Sequence, residues 1–326
     1  MAKVVLVTGV SRYLGGIVAR KLSETPGITK VIGVDVIPPT HDLGRTTFVR
    51  ADIRNPMIAK VIENDKVDTV VHMNVIATPT SVGGRSPQKE INVIGTMQLL
   101  AACQKATSLK RLVVKSSAAV YGATSRDPAM FSEDMSAKRM PSGGFGKDSV
   151  EVEGYVRGFA RRRPDIEIVT LRLANVIGPR IRTSMTDYFT LPVIPVPMGY
   201  DARLQFVHED DAVAGMLLAT TGSMTGTINV AGEGVLTVMQ AVSLARRVPV
   251  PIVLQATGPV GGFAKRLGLA DFSPDQLSLL AFGRGLDTER MHSVLGLEPR
   301  YTTREAFVDF ISSTRGRLSS AAGKER

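Results

Sequence analysis

The sequence is poor in the residues that carry most covalent and redox chemistry. It has one cysteine, Cys103, in 326 residues. One thiol closes no internal disulfide, which fits a reducing compartment. Cys103 ends the apolar run Met97–Cys103, so it reads as a buried structural thiol and not a nucleophile. There is no tryptophan, and aromatic residues make up 5% of the chain. With aromatic residues this scarce, no base-stacking nucleic-acid surface is expected. The four histidines show no ligand spacing, so no metal site is expected. Ser117 has no histidine beside it in sequence, which leaves a nucleophilic triad there unsupported. No apolar run reaches the length of a membrane span. Met1-Ala2-Lys3 leads straight into a strand with no apolar leader, and the expected location is the cytoplasm.

What is present is an ordinary globular composition. Hydrophobic residues are 44% and charged residues 21%, enough to bury a large core in one or two domains. The formal net charge is +10. The basic residues are dispersed, apart from Arg157, Arg161, Arg162 and Arg163, at the end of an expected helix where the dipole favours cations. Solvated charge is the first reading and phosphate-bearing ligands the second.

The first half alternates short β-branched strands with helical stretches. Strands are expected at Val4–Val7, Val31–Val34, Thr69–His72, Leu112–Val114 and Ile168–Leu173. Helices are expected at Gly16–Ser23, Met57–Asn64, Asn92–Lys105 and Ser149–Arg162. This alternation implies an α/β, doubly wound parallel sheet of Rossmann type. Near residue 175 prolines cluster at Pro179, Pro192, Pro195 and Pro197, and the elements shorten. A nucleotide-binding domain over 1–174 is expected. A smaller α/β substrate lobe over 175–312 follows, partly interleaved with it. Its helices are placed near Asp210–Ala219, Val238–Arg247, Ser273–Ala281 and Thr303–Ser312. Residues 313–326 read as a basic, disordered tail.

Thr8-Gly9-Val10-Ser11-Arg12-Tyr13-Leu14-Gly15 follows the first strand and opens the first helix. A dinucleotide fold places its glycines here: Gly9 for the tight turn, Gly15 for close helix–sheet packing. The helix N-terminus would face a pyrophosphate. Asp35 ends the second strand, 26 residues after Gly9, where a carboxylate accepts from ribose hydroxyls and repels a 2′-phosphate. NAD is therefore expected over NADP. Arg12 stands where the motif has its middle glycine. Three roles are open to it: pairing with phosphate, weakening dinucleotide binding, or reaching a 2′-phosphate.

Further segments carry a resemblance. Asp52-Ile53-Arg54, Val71-His72-Met73-Asn74, Asn92-Val93-Ile94-Gly95-Thr96 and Ser116-Ser117-Ala118-Ala119-Val120-Tyr121-Gly122 are four of them. Leu171-Arg172-Leu173-Ala174-Asn175-Val176-Ile177-Gly178-Pro179, Gln205-Phe206-Val207-His208-Glu209-Asp210-Asp211 and Leu286 through Tyr301 are the others. Together they resemble the extended short-chain dehydrogenase/reductases, in the NAD-dependent epimerase/dehydratase branch (UDP-glucose 4-epimerase-like). The resemblance implies cofactor contacts from Tyr13, Leu14, Asp52, Ile53, Met73 and Asn92. It implies substrate contacts from Ser117 and Asn175, with Ser117 as the catalytic hydroxyl. The arginine that often precedes the Phe-Val-His segment is absent at Leu204, and its neighbour Arg203 is the expected substrate contact in its place. It also implies a nucleotide-sugar or similar polyol substrate, and a homodimer through the helices Asn92–Lys105 and Ser149–Arg162.

The family's Tyr and the Lys four residues on are replaced by Phe145 and Ser149. Phe has no proton to give, and Ser has no charge to tune a neighbour. The six tyrosines are followed, four residues on, by Ile17, Ser125, Phe159, Pro192, Leu204 and Glu305, so no shifted pair exists. Lys115 reads as a strand-edge salt-bridge residue and His72 as a core histidine. Two functions are expected as alternatives: an enzyme of epimerase/dehydratase type with an altered proton route, or a non-catalytic NAD(H)-binding sensor or scaffold.

Overall fold

The computed structural model describes residues 3–78, 82–141, 144–253 and 274–322. The alternating first half forms β1 (Val4–Thr8), β2 (Lys30–Asp35), β3 (Thr47–Arg50), β4 (Thr69–His72), β5 (Arg111–Ser117) and β6 (Glu167–Leu173). The second half supplies β7 (Asn175–Ile177), β8 (Val193–Pro197), β9 (Arg203–Leu204), β10 (Phe206–His208), β11 (Gly226–Val230), β12 (Leu236–Thr237) and β13 (Val248–Ile252). Seven strands make one parallel sheet in the order β11-β6-β5-β4-β1-β2-β3. The order reverses between β1 and β4, and crevices at such points lie outside the carboxyl ends of strands.

Val5, Leu6, Val7, Val70, Val71 and Leu112–Val114 are fully buried, as a sheet covered on both faces requires. Helices α1 (Tyr13–Glu24), α2 (Met57–Asn64), α3 (Arg85–Lys89), α4 (Thr96–Lys105) and α5 (Gly144–Arg162) follow in chain order. The helical stretch expected at Asn92 begins earlier, at Arg85, and passes through a π-helical turn, Glu90–Gly95. Helix α5 starts at Gly144 rather than Ser149. Helices α2, α4 and α5 cover one face with Ile58, Leu99, Leu100, Val152 and Phe159. Helix α1 covers the other together with α7 (Glu209–Thr221) through Val18, Leu22, Val213 and Met216. Arg163 donates to the carbonyls of Cys103, Gln104 and Ala106, so it caps α4 rather than its own helix.

The second half adds α6 (Ser184–Thr190), α8 (Val238–Ala245), α9 (Pro274–Phe282), α10 (Glu289–Ser293) and α11 (Thr303–Ala322). Ser273, the expected start of α9, lies outside the described residues. Phe189, Phe206, Phe307 and Phe310 belong to a hydrophobic cluster of their own, apart from those against the main sheet. Phe189 and Phe307 meet edge to face at 4.9 Å between centroids. Such pairs add about 0.5–1.5 kcal/mol beyond their buried area. Strand β11, from the second half of the chain, pairs with β6 in the main sheet. Helix α11 runs on to Ala322, so its backbone continues into the segment expected as a disordered tail.

Candidate functional site

The β1–α1 turn is built for close approach. Gly9 has φ 76°, and a Cβ there would stand 3.1 Å from the Asn74 backbone. A Cβ on Gly15 would collide with the Gly9 carbonyl. Both glycines are thus required by geometry. The first turn of α1 holds no acidic residue, which leaves its positive end open to an anion. The Asp35 carboxylate accepts from Ser11 N at 3.0 Å and Val36 N at 2.8 Å, which fixes it beside the turn. Arg12 is the residue that precedes α1. Burial holds its pKa below the ordinary value, against the pull of Asp35. This cradle fits a dinucleotide: the glycines allow the tight turn and the close start of α1, and the Asp35 carboxylate is fixed beside them.

A cavity of about 1430 Å³ opens from this turn across the carboxyl ends of β5, β6 and β7. It exceeds the ~300–1,000 Å³ typical of a single small-ligand site, which suits two ligands side by side. Arg12, Tyr13, Leu14, Ser117, Phe145 and Asn175 all line it, so the structure brings these expected residues together. On β5, Lys115 and Ser117 face the cavity, as their two-residue spacing dictates. Ser117 Oγ accepts from Ala119 N at 3.1 Å.

Other expected residues have their polar atoms engaged inside the protein. Asp52 is paired with Arg54 at 2.6 Å, and Arg54 also reaches Glu90 at 3.0 Å. This bonding to Arg54 holds the Asp52 carboxyl below its usual range. Ile53 is buried against Gly95. Met73 is buried and its amide donates to Thr8 Oγ1 at 3.2 Å. Asn92 accepts from Ile76 N at 2.7 Å and donates to Ile76 O at 2.9 Å and Asp148 at 3.1 Å. Its side chain braces the loop after β4. Arg203 lines a smaller adjoining cavity of about 360 Å³, next to Arg284, which borders both. Ser149 is buried and donates to the Phe145 carbonyl at 2.8 Å.

The alternative proton groups separate cleanly. His72 lies between Thr8 Oγ1 at 2.9 Å and Thr96 Oγ1 at 2.8 Å. Burial, then Lys115, push its pKa down to about 3, so it stays neutral. Lys115 is not in the salt bridge expected for it: its ammonium donates to the Val75 carbonyl at 2.7 Å. Burial, then Arg12, bring its pKa down to about 8. Sequence reading did not single out Arg180, Arg182 or Arg284 in this cavity. The first two follow the Gly178-Pro179 motif directly, and Arg284 sits just before the Leu286-Asp287 segment, so adjacency was the available signal.

The sequence profile of the NAD dependent epimerase/dehydratase family matches residues 5–231. Protein Rv0501 of Mycobacterium tuberculosis is 46% identical over 319 residues, covering 97% of this chain and 84% of its own. UDP-glucose 4-epimerase 3 of Oryza sativa is 28% identical over 188 residues, covering 53% of this chain and 49% of its own. The Thermotoga maritima UDP-glucose 4-epimerase, solved with UDP-glucose, has TM-score 0.73 at 22% identity, over 97% of this chain and 99% of that one. MoeE5 in complex with UDP-glucose and NAD gives 0.72 at 22%, over the same shares. At that identity the last two likenesses are of fold. The profile match, the glycine turn and the doubly wound sheet agree, and this chain belongs to the NAD-dependent epimerase/dehydratase family.

Proposed function

We propose that this chain holds NAD(H) on the β1–α1 turn and a nucleotide-linked sugar in the adjoining cavity, as an oxidoreductase or isomerase whose proton route does not use a phenol. The observation that carries the reading is one continuous cavity joining Arg12, Tyr13 and Leu14 to Ser117, Phe145 and Asn175. NAD, when bound, supplies hydride acceptance and return. Gly9 and Gly15 shape the turn that faces its pyrophosphate, Arg12 offers it a cation, and Asp35 takes the ribose. Ser117 orients the sugar oxygen by donating to it, and Asn175 adds a contact from the far wall. The nucleotide-sugar names of the rice and Thermotoga proteins support the substrate class. The buried thiol of Cys103 supports a cytoplasmic location. Among the described residues no helix is long and apolar enough to cross a membrane.

A second reading, a non-catalytic NAD(H) sensor or scaffold, is favoured by one observation. The cavity wall carries Phe145 where a proton-transfer group would stand. Mass spectrometry and absorbance of the purified protein test for the bound nucleotide that both readings share. UDP-glucose binding then supports the first reading over the second.

Calorimetry is expected to show tighter binding of NAD(H) than NADP(H). The fixed Asp35 carboxylate stands where a 2′-phosphate would meet like charge. Equal or stronger NADP(H) binding overturns this and gives Arg12 the 2′-phosphate.

A homodimer is expected through α4 and α5. Leu99, Leu100, Cys103, Val152, Val156 and Phe159 are consumed in the subunit's own core. The contact therefore rests on exposed Ile94 and Tyr155 with half-buried Met97. Light scattering at micromolar concentration reads the mass, and a monomer excludes the contact.

A further inference from the structure

The two ends of the cavity differ in charge. Away from the β1–α1 turn its wall comes from residues 122–141, the segment after β7, and the region of α9. That wall carries Arg126, Lys138, Arg139, Arg180, Arg182 and Arg284. Among the described residues, the acid lining the cavity is Asp275. Arg85 also borders the space, but it is held by buried Asp148 through two 2.5 Å contacts and counts as neutralised.

Three of the wall cations bond to neutral groups. Arg284 donates to the Gly122 carbonyl at 2.7 Å, Lys138 to the Arg126 carbonyl, and Arg180 to the Tyr13 hydroxyl at 2.8 Å. Burial brings the Arg284 pKa down to about 10, in spite of Asp127 and Asp275. A guanidinium in such a place is only partly compensated. Arg180 differs: its pKa stands above the ordinary value, through Tyr13 first and then Glu209 and Asp210. Among the described residues, that wall still presents six cations against one acid. Charges gathered in a low-dielectric cleft repel one another and focus an anionic ligand.

A nucleoside diphosphate brings about two negative charges, fewer than this wall presents. We propose that the ligand of this wall carries an acidic group besides its diphosphate, as a nucleoside diphosphate uronic acid does. The inference rests on the nucleotide-sugar reading and narrows it to an acidic sugar. A carboxylate meeting one of these arginines gains a charge-assisted bond, often bidentate. One such bond corresponds to roughly 10- to 100-fold in affinity.

Calorimetry of the full chain loaded with NAD tests this with UDP-glucose, UDP-glucuronate and ATP as probes. UDP-glucuronate is expected to bind at least about 10-fold more tightly than UDP-glucose. ATP, more highly charged but without a carboxylate, is expected to bind more weakly than UDP-glucuronate. At least one of Arg126→Gln, Arg139→Gln and Arg182→Gln is expected to shrink the ratio between the two sugar nucleotides. Equal or weaker binding of UDP-glucuronate overturns the proposal and leaves the nucleotide-sugar reading in place. ATP binding as tightly as UDP-glucuronate marks a non-specific polyanion cleft and also overturns it. Binding of neither sugar nucleotide removes the nucleotide-sugar reading itself.

Discussion

Phe145→Tyr combined with Ser149→Lys is expected to raise sugar-nucleotide 4-epimerisation by roughly 10²–10⁴-fold over a negligible wild-type rate, the usual contribution of a positioned acid–base group. A hydroxyl that is oxidised must give up its proton to a base. Phe145 stands on the cavity wall with no such base to offer. Ser117 keeps a hydroxyl there, but its oxygen already accepts from Ala119 N and its proton is unactivated. The single changes are expected to do less. Phe145→Tyr alone adds a phenol that keeps its ordinary pKa near ~10, and Ser149→Lys alone adds an ammonium with no phenol to tune. Ser149 is buried, so the introduced ammonium must find its way to the cavity past well-packed neighbours. The assay is C4 interconversion of UDP-glucose and of UDP-glucuronate with NAD present, in wild type, both singles and the double variant. Wild-type turnover near the ~10 s⁻¹ median of ordinary enzymes would show that another residue moves the proton. Lys115 is then the first to mutate, because it shares the cavity face with Ser117 and its amine is brought down to about 8 by burial.

The sheet was legible because its strands are short, β-branched and apolar throughout, and the glycine turn follows the first of them. Strand β3, Thr-Phe-Val-Arg, is too short and too exposed to show a pattern. Strand β11 lies more than 50 residues after its partner β6, and only the tertiary pairing gives it a place in the sheet. In the site, motifs located the backbone better than they located the use of side chains. Asn92 and Asp52 sit in recognisable segments, yet Ile76 and Arg54 take up their hydrogen-bonding atoms. Lys115 shows the converse: no neighbour in sequence announces the Val75 carbonyl that receives its ammonium. The cationic wall gathers residues from segments tens of positions apart, so no spacing could show it. What sequence did show is the loss of the Tyr and Lys, because a missing side chain needs no geometry to be read.

Glu153→Ala is expected to destabilise the fold by ~3–5 kcal/mol, the cost of leaving a buried charge without its partner. Glu153 and Arg172 are both buried. Arg172 donates to Glu153 through Nε at 3.0 Å and Nη2 at 2.7 Å. Burial works against the Arg172 charge, and the bonds to Glu153 outweigh it, so its pKa stands above the ordinary value. The pair also ties four elements together. Ser116 on β5 donates to Glu153 on α5 at 2.7 Å. Arg172 on β6 donates to the Tyr121 hydroxyl at 2.8 Å, and that hydroxyl donates to Asn229 on β11 at 2.8 Å. Removing the carboxylate strands the guanidinium and leaves the Ser116 hydroxyl without its acceptor, both far from water. Replacing both charged partners, as Glu153→Leu with Arg172→Met, is expected to recover most of the loss, because the desolvation cost of two ions goes with them. Urea unfolding reads the effect as a lower midpoint at unchanged slope. A Glu153→Ala loss under ~1 kcal/mol would mean that the pair is reached by solvent and behaves as a surface ion pair. Because Ser116 adjoins Ser117, the same variant is expected to weaken sugar-nucleotide binding while NAD(H) affinity, set by the β1–α1 turn on other strands, holds.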